Sequence, residues 1–239
     1  MNEWEQLKKT MKGIDIVVEL VDARDIAGTR IAIIERLAGN NRLVIIANKS
    51  DLKMDAAEGN RFISAKNGGE KDRAKVMKLI MDKTKKRPVK ALFVGYPNVG
   101  KSSTINLLAR KSAAKVAPVA GTTKNVQWIK INDELRVTDY RGVYPKHEKK
   151  HDLIRKGAIN IESGAEVYAY KLAEEILESQ TLRKWIEGKF DLSLDDAILG
   201  VDVLSIIATR RGFVIKGGEL NIEEAAKILI RAMREAPEI

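Results

Sequence analysis

The chain has 239 residues, 44% of them apolar but only 5% aromatic, and carries 43 Lys and Arg against 33 Asp and Glu for a net charge of +10. That length suits one large or two modest domains with a real core, and the absence of cysteine excludes disulfides, thiol catalysis and cysteine-ligated zinc. The two histidines, His147 and His151, fall in one polar loop and are too few for a histidine-rich metal site. No run of 18 apolar residues and no signal-peptide pattern occurs, so a soluble cytoplasmic protein is expected, with no membrane partner.

The charge is uneven. Residues 1–150 hold 31 basic against 17 acidic residues, whereas residues 151–239 hold 12 against 16. A basic half of this size suits an anionic partner larger than a nucleotide, structured RNA foremost. Abundant surface lysine of the thermophile kind is the alternative.

In chain order, residues 2–12 read as a short amphipathic helix with Trp4 and Leu7. Ile14–Val21 is nearly continuously apolar and β-branched, as a strand buried in a parallel sheet should be, and it ends in Asp22-Ala23-Arg24-Asp25. A helix over roughly 30–38 and a strand, Leu43–Ala47, follow. A third short strand is expected near Arg61-Phe62-Ile63, then a helix from about 70 to 84 and a basic connector, Lys85–Pro88. Residues 112–126 lack apolar periodicity and read as a loop. Val126–Ile131 and Glu134–Thr138 read as a hairpin around Asn132-Asp133. From about 150 every pattern is helical, around 164–178, 181–188, 194–210 and 221–235, with Ser193 and Asn221 as N-caps and Gly212 as a C-cap. The fold class is therefore α/β with a helical tail: a domain over 1–150 and an all-α domain over 151–239.

One stretch has a specific chemistry. Ala91-Leu92-Phe93-Val94 runs into Gly95-Tyr96-Pro97-Asn98-Val99-Gly100-Lys101-Ser102, and Ser103-Thr104-Ile105 opens a helical pattern. This is the strand, loop and helix context that GxxxxGK[ST] requires to cradle phosphates. Lys101 would reach the β- and γ-phosphates and the Ser102 hydroxyl would ligate Mg²⁺. Asn48-Lys49-Ser50-Asp51 fits NKxD at a strand end: Asp51 can accept from guanine N1–H and N2, Asn48 can contact N7, and the Lys49 stem can cover the base. Ser64-Ala65-Lys66, at the next strand end, can offer backbone N–H groups to guanine O6. Asp139-Tyr140-Arg141-Gly142 matches DxxG, with Asp139 toward Mg²⁺ and the Gly142 N–H toward the γ-phosphate. Thr123, in the loop between, is the natural second Mg²⁺ ligand.

Taken together these resemble the five motifs of a translation-factor-type GTPase in rotated order, with NKxD and SAK ahead of the phosphate loop. That order is similar to the circularly permuted GTPases of the YlqF/YawG family. The Asp22-Ala23-Arg24-Asp25 stretch resembles that family's DAR element. Ile207-Ala208-Thr209-Arg210-Arg211-Gly212 and Lys216-Gly217-Gly218-Glu219 resemble its helical tail. The resemblance implies a permuted P-loop GTPase fold with a mostly parallel six-stranded sheet, binding of GTP and GDP with Mg²⁺, and a monomeric factor acting in ribosome assembly on the large subunit and its rRNA. Lys71–Lys90 and Lys146–Lys156 are the basic stretches for that contact.

The residue after DxxG is Val143, not a water-orienting glutamine, so slow intrinsic hydrolysis is expected. Asn98 stands where K⁺-activated GTPases carry a K⁺-coordinating asparagine; loop capping is the alternative. Lys101, Thr123, Gly142 and Asn98 are thus the catalytic candidates. The chain departs from the family in lacking an N-terminal histidine and in having Tyr140-Arg141 where Thr-Pro is usual. A GTP-gated RNA- or protein-binding scaffold with negligible turnover is the competing reading, and an ATP-using kinase conflicts with Asn48 and Asp51.

Overall fold

The computed structural model describes residues 3–52, 61–109, 116–117, 127–145, 148–159, 161 and 164–237. The chain forms two compact units, Met1–Lys146 and His147–Ile239.

The first unit is built on a sheet. In chain order it contains α1 (Glu3–Thr10), β1 (Ile16–Asp22), α2 (Ile26–Thr29), α3 (Ala32–Ala38), β2 (Leu43–Asn48), α4 (Glu70–Met81), β3 (Val89–Gly95), α5 (Lys101–Ala109), β4 (Val116–Ala117), β5 (Trp128–Lys130) and β6 (Leu135–Asp139). The strand order is β2-β1-β3-β6-β5-β4. The first four strands run parallel and the β6-β5-β4 edge antiparallel. All seven residues of β1 are buried, which is why its sequence runs apolar instead of alternating. Asn132 makes the β5-β6 turn by accepting N–H groups from Glu134 and Leu135. The strand expected near residues 61–63 contributes a single bridge, Phe62 beside Ala47.

Glu19 breaks the apolar run of β1, yet it is fully buried. One carboxylate oxygen accepts the Ile31 N–H at 2.8 Å, and the other lies 3.0 Å from Arg30 Nε. Burial raises its pKa, and Ile31 and Arg30 offset part of that. The pair ties the N-terminal side of α3 to the middle of the sheet.

The second unit is helical: α6 (Lys150–Arg155), α7 (Ala165–Glu178), α8 (Gln180–Phe190), α9 (Gly200–Arg211) and α10 (Ile222–Met233). Its core is the shared face of α7, α9 and α10, with Leu172, Ile176, Leu204, Ile207, Leu229 and Ile230 buried. A Cβ at Gly200 would stand 2.7 Å from the Tyr170 carbonyl, so the start of α9 can approach α7 only as glycine. Asn221 caps α10 by accepting the Glu224 N–H, and Gly212 ends α9 at φ +66°. The expected cap at Ser193 is corrected. Its hydroxyl instead bonds Asp195 within a local turn, and α9 starts seven residues later, where the Asp202 carboxylate accepts the N–H groups of Ile198 and Leu199.

Candidate nucleotide-binding site

Strand register determines what meets at the carboxyl ends of the sheet. β1 lies between β2 and β3, with Asp22 opposite Asn48 and Leu20 opposite Gly95. Two strand spacings, about 10 Å, therefore separate the strand that delivers NKxD from the strand that delivers the phosphate loop.

Asn48 joins the two. Its side chain is buried, donates to the Val99 carbonyl at 2.8 Å and accepts the Ala65 N–H at 2.8 Å. One amide thus links NKxD, the phosphate loop and Ser64-Ala65-Lys66. Gly100 (φ +95°) follows from this contact, because a Cβ there would meet Asn48 Nδ2 at 2.1 Å. Gly95 is required from the other side: its Cβ would stand 2.3 Å from the Leu20 carbonyl of β1.

Within the loop Lys101 is buried. Its ammonium donates to the Gly95 and Tyr96 carbonyls at 3.2 and 2.9 Å. Burial lowers its pKa to about 8, against which the Asp139 charge acts only partly. Ser102 Oγ donates to Asp139 Oδ2 at 2.9 Å. Partial desolvation raises the Asp139 pKa, offset in part by the Ser102 hydroxyl and by Lys101. A hydroxyl and a carboxylate held together are the hard-oxygen pair that suits Mg²⁺. Pro97, Asn98, Gly100, Lys101, Ser102, Ser103, Asp139 and Gly142 line a cleft of about 480 Å³. Its polar walls and cationic floor can take a phosphate chain. Asn98 is exposed with φ +59°, a left-handed conformation that asparagine tolerates.

The DxxG segment is fastened to the loop. Tyr140 N–H donates to the Phe93 carbonyl, and Val143 N–H donates to the Gly95 carbonyl at 3.2 Å. A Cβ on Gly142 would stand 2.7 Å from Pro97 Cγ. Val143 is fully buried and so presents nothing to orient water. Arg141 and Tyr140, the departures from the family pattern, reach α1: Arg141 lies 3.2 Å from Glu3 Oε1 and donates to Gln6 Oε1, and the Tyr140 hydroxyl donates to the Glu3 carbonyl.

On the base side Asp51 is exposed and accepts from Asn67 Nδ2 at 2.6 Å. Ser64 and Ala65 are buried, while Lys66 is exposed. Sequence reasoning passed over Asn67, since nothing in its pattern separates it from any polar turn residue. It also missed what Asp22 does. That carboxylate is buried and accepts from Arg24 through both oxygens and from Lys49 Nζ at 2.7 Å. Burial opposes its ionisation, but Arg24 and Lys49 outweigh it and hold the pKa below the ordinary value. Thr123 and His147 lie outside the described residues.

Residues 90–206 match the family described as 50S ribosome-binding GTPase. The match starts on β3 and omits NKxD, which an unpermuted member would carry after DxxG. Among curated proteins, ribosome biogenesis GTPase A of Bacillus pumilus is 29% identical over 262 residues, covering 96% of this chain and 90% of that protein. An uncharacterized GTP-binding protein of Methanocaldococcus jannaschii is 30% identical over 248 residues, and the chain spans 64% of its length. The GNP-bound structure of YlqF from T. maritima superposes with a TM-score of 0.58 at 21% identity, covering 97% of this chain and 93% of that one, a likeness of fold. Motif order, sheet order and full-length similarity agree: the chain has the circularly permuted P-loop GTPase fold of YlqF and is similar over nearly its whole length to the ribosome biogenesis GTPases.

Proposed function

We propose that this protein is a GTP-hydrolysing ribosome assembly factor acting in the cytoplasm on the large subunit. The observation that carries the nucleotide reading is the Asn48 bridge between the guanine-reading corner and the phosphate loop. A base read at Asp51 and a phosphate chain in the cleft beside Lys101 then belong to one ligand. The large subunit is favoured by the description of the matching family, and ribosome assembly by the name of the Bacillus relatives. Among the described residues no helix is long and apolar enough to cross a membrane.

In this reading Lys101 neutralises the β- and γ-phosphates, Ser102 and Asp139 hold Mg²⁺ together with Thr123, and the Gly142 N–H meets the γ-phosphate. Mg²⁺ supplies charge neutralisation on the phosphate oxygens. Asn98, which lines the cleft, would help hold K⁺, and that ion would stabilise transition-state charge. Val143 cannot orient water, so hydrolysis is slow until the ribosomal particle supplies the missing group. The segment 139–150 responds to the γ-phosphate and continues directly into the helical unit, so nucleotide state is passed to residues 151–239. Basic residues within Lys71–Lys90, Lys90 among them, and within Lys146–Lys156 contribute to the rRNA contact.

Co-sedimentation with isolated large and small subunits, in GDP and in a non-hydrolysable GTP analogue at fixed salt, tests this. Expected is binding to the large subunit that depends on the analogue, with GTP turnover raised by that subunit. Equal binding in both nucleotides, or to neither subunit, refutes it. The buried Val143 also favours a second reading, a GTP-gated scaffold with negligible turnover, which subunit-stimulated hydrolysis would eliminate.

A further inference from the structure

The basic stretch from Lys71 to Lys90 does not stand as one free surface. Arg73 pairs with Glu70 and donates to the Leu108 carbonyl, Lys75 is held by Asp72 and the Phe62 carbonyl, and Lys86 pairs with Asp15. These cations are matched as surface charges in a folded domain usually are. Another set is matched far less.

Lys90 of β3 is registered with Arg136 of β6, and Arg136 with Lys130 of β5. Registered partners point to one face of a sheet, so three cations stand in a row across three adjacent strands, spanning roughly 10 Å. Like charges directly opposite one another destabilise a ladder. The row is also poorly compensated. Among the described residues neither Lys90 nor Arg136 has a carboxylate partner. Lys90 instead lies 6.0 Å from the centre of the Trp128 ring. Lys130 pairs with Asp133, whose side chain is 94% exposed, an arrangement that contributes little. Folding gains little from such a row, and an anion laid along it would remove its cost.

We propose that Lys90, Arg136 and Lys130 form a docking row for the phosphate backbone of folded RNA. This rests on the ribosomal reading above and gives it a contact surface. Phosphates, not bases, are the expected target. Arg136 offers a planar fork suited to a phosphate, whereas Trp128, the aromatic residue on the row, is buried and has no face to stack a base upon. Recognition would then follow RNA shape and not its sequence. The row lies three residues before Asp139 on β6, about 10 Å along the strand. RNA and nucleotide would therefore share one rigid element without competing for space.

The test uses the full chain with Lys130→Gln, Arg136→Gln and the double variant, titrated against a fluorescent RNA hairpin at several KCl concentrations. Affinity for a fluorescent GDP analogue and the melting temperature are measured alongside. The double variant should bind the hairpin about tenfold more weakly, with a salt slope reduced by about two, while GDP affinity stays unchanged and the melting temperature holds or rises as the opposed charges are removed. Lys71→Gln with Lys78→Gln, both exposed on α4, should have a smaller effect. Unchanged RNA affinity in the double variant overturns the row. So does a wild-type chain that ignores the hairpin but sediments with subunits, and that result leaves the ribosomal reading standing. A wild-type chain that does neither overturns that reading itself.

Discussion

Lys49 places its ammonium 2.7 Å from a carboxylate oxygen of Asp22, a residue 27 positions earlier and on the neighbouring strand. Asp22 closes β1 and Lys49 follows β2, in a left-handed conformation at φ +65°. The DAR-like element therefore reaches the base-reading motif directly. With its head anchored, the lysine stem is already set where it would cover a guanine, and less side-chain freedom is lost on binding.

Asp22→Asn should weaken GDP affinity by about tenfold, the worth of ordering one long side chain. It should also cost about 3 kcal/mol of stability, because Arg24 and Lys49 lose a buried partner. Arg24→Met separates the effects: stability falls, while GDP affinity stays within about twofold. A double-mutant cycle of Asp22→Asn with Lys49→Met, read as GDP affinity, should be non-additive. Additive losses would show that the anchor does not act through Lys49. The depressed Asp22 pKa adds an acid signature. Its contribution is fully present above the ordinary aspartate value of 3.8 and is lost as pH falls through the lower folded value.

The buried Lys101 gives a second pH dependence with a defined sign. Its folded pKa is about 8 against an ordinary 10.5, lowered by burial. Between those values the unfolded chain holds more protons, so stability without nucleotide rises with pH across that window and is lost as pH falls through 8. The full effect is on the order of 3 kcal/mol. Lys101→Met should abolish the slope and, without nucleotide, be more stable than the parent at neutral pH. Nucleotide binding should respond oppositely. A phosphate favours the ammonium, so affinity should fall by up to about tenfold per pH unit above 8. Calorimetry in buffers of different ionisation heat would register the proton taken up.

The legible parts of this protein were those governed by local pattern. The apolar run of β1, the glycine-bounded loop after β3, the Asn221 cap and the Gly212 stop each depend on residues within one element. The start of α9 was not legible: a serine ahead of an apolar stretch is a sound cap signal, but Asp195 claims the Ser193 hydroxyl and the Asp202 carboxylate, from inside the first turn, covers the N–H groups that matter. The strand near residue 62 is reduced to one bridge beside Ala47, where Arg61 and Ile63 exchange backbone hydrogen bonds with Ala47 and Ser50. At the site, motif membership was readable but the contacts between motifs were not. That Asn48 spans to Val99 and Asp22 to Lys49 depends on strand register, which no single motif contains.

Glu19 illustrates the same limit inside the core and leads to a third prediction. Arg30→Met should leave a fully buried carboxylate without its cation and cost about 3 kcal/mol at pH 7. The raised Glu19 pKa sets the sign of the pH effect: as pH falls through that value the side chain becomes neutral, so the deficit should shrink. Glu19→Gln keeps an acceptor for the Ile31 N–H and should cost less than Arg30→Met. Urea denaturation of the three proteins at pH 7 and 5 decides it. A pH-independent deficit in Arg30→Met would mean that the ion pair does not set the energetics of this site.

Gly142 gives the last. A Cβ there would stand 2.7 Å from Pro97 Cγ and 2.8 Å from Pro97 Cα, and the second of these is backbone that cannot swing aside. Gly142→Ala must therefore separate the DxxG segment from the phosphate loop, straining the Val143 N–H bond to the Gly95 carbonyl. The strain should lower stability by about 1–2 kcal/mol. Its effect on ligands should be unequal. In the proposed reading GDP would use the loop, Lys101 and the base corner, whereas a triphosphate would also need the Gly142 N–H near the γ-phosphate. Affinity for a GTP analogue should accordingly drop at least about tenfold more than affinity for GDP, a differential of roughly 1.4 kcal/mol. Equal losses for the two nucleotides would mean that Gly142 packs the cleft without sensing its outermost phosphate.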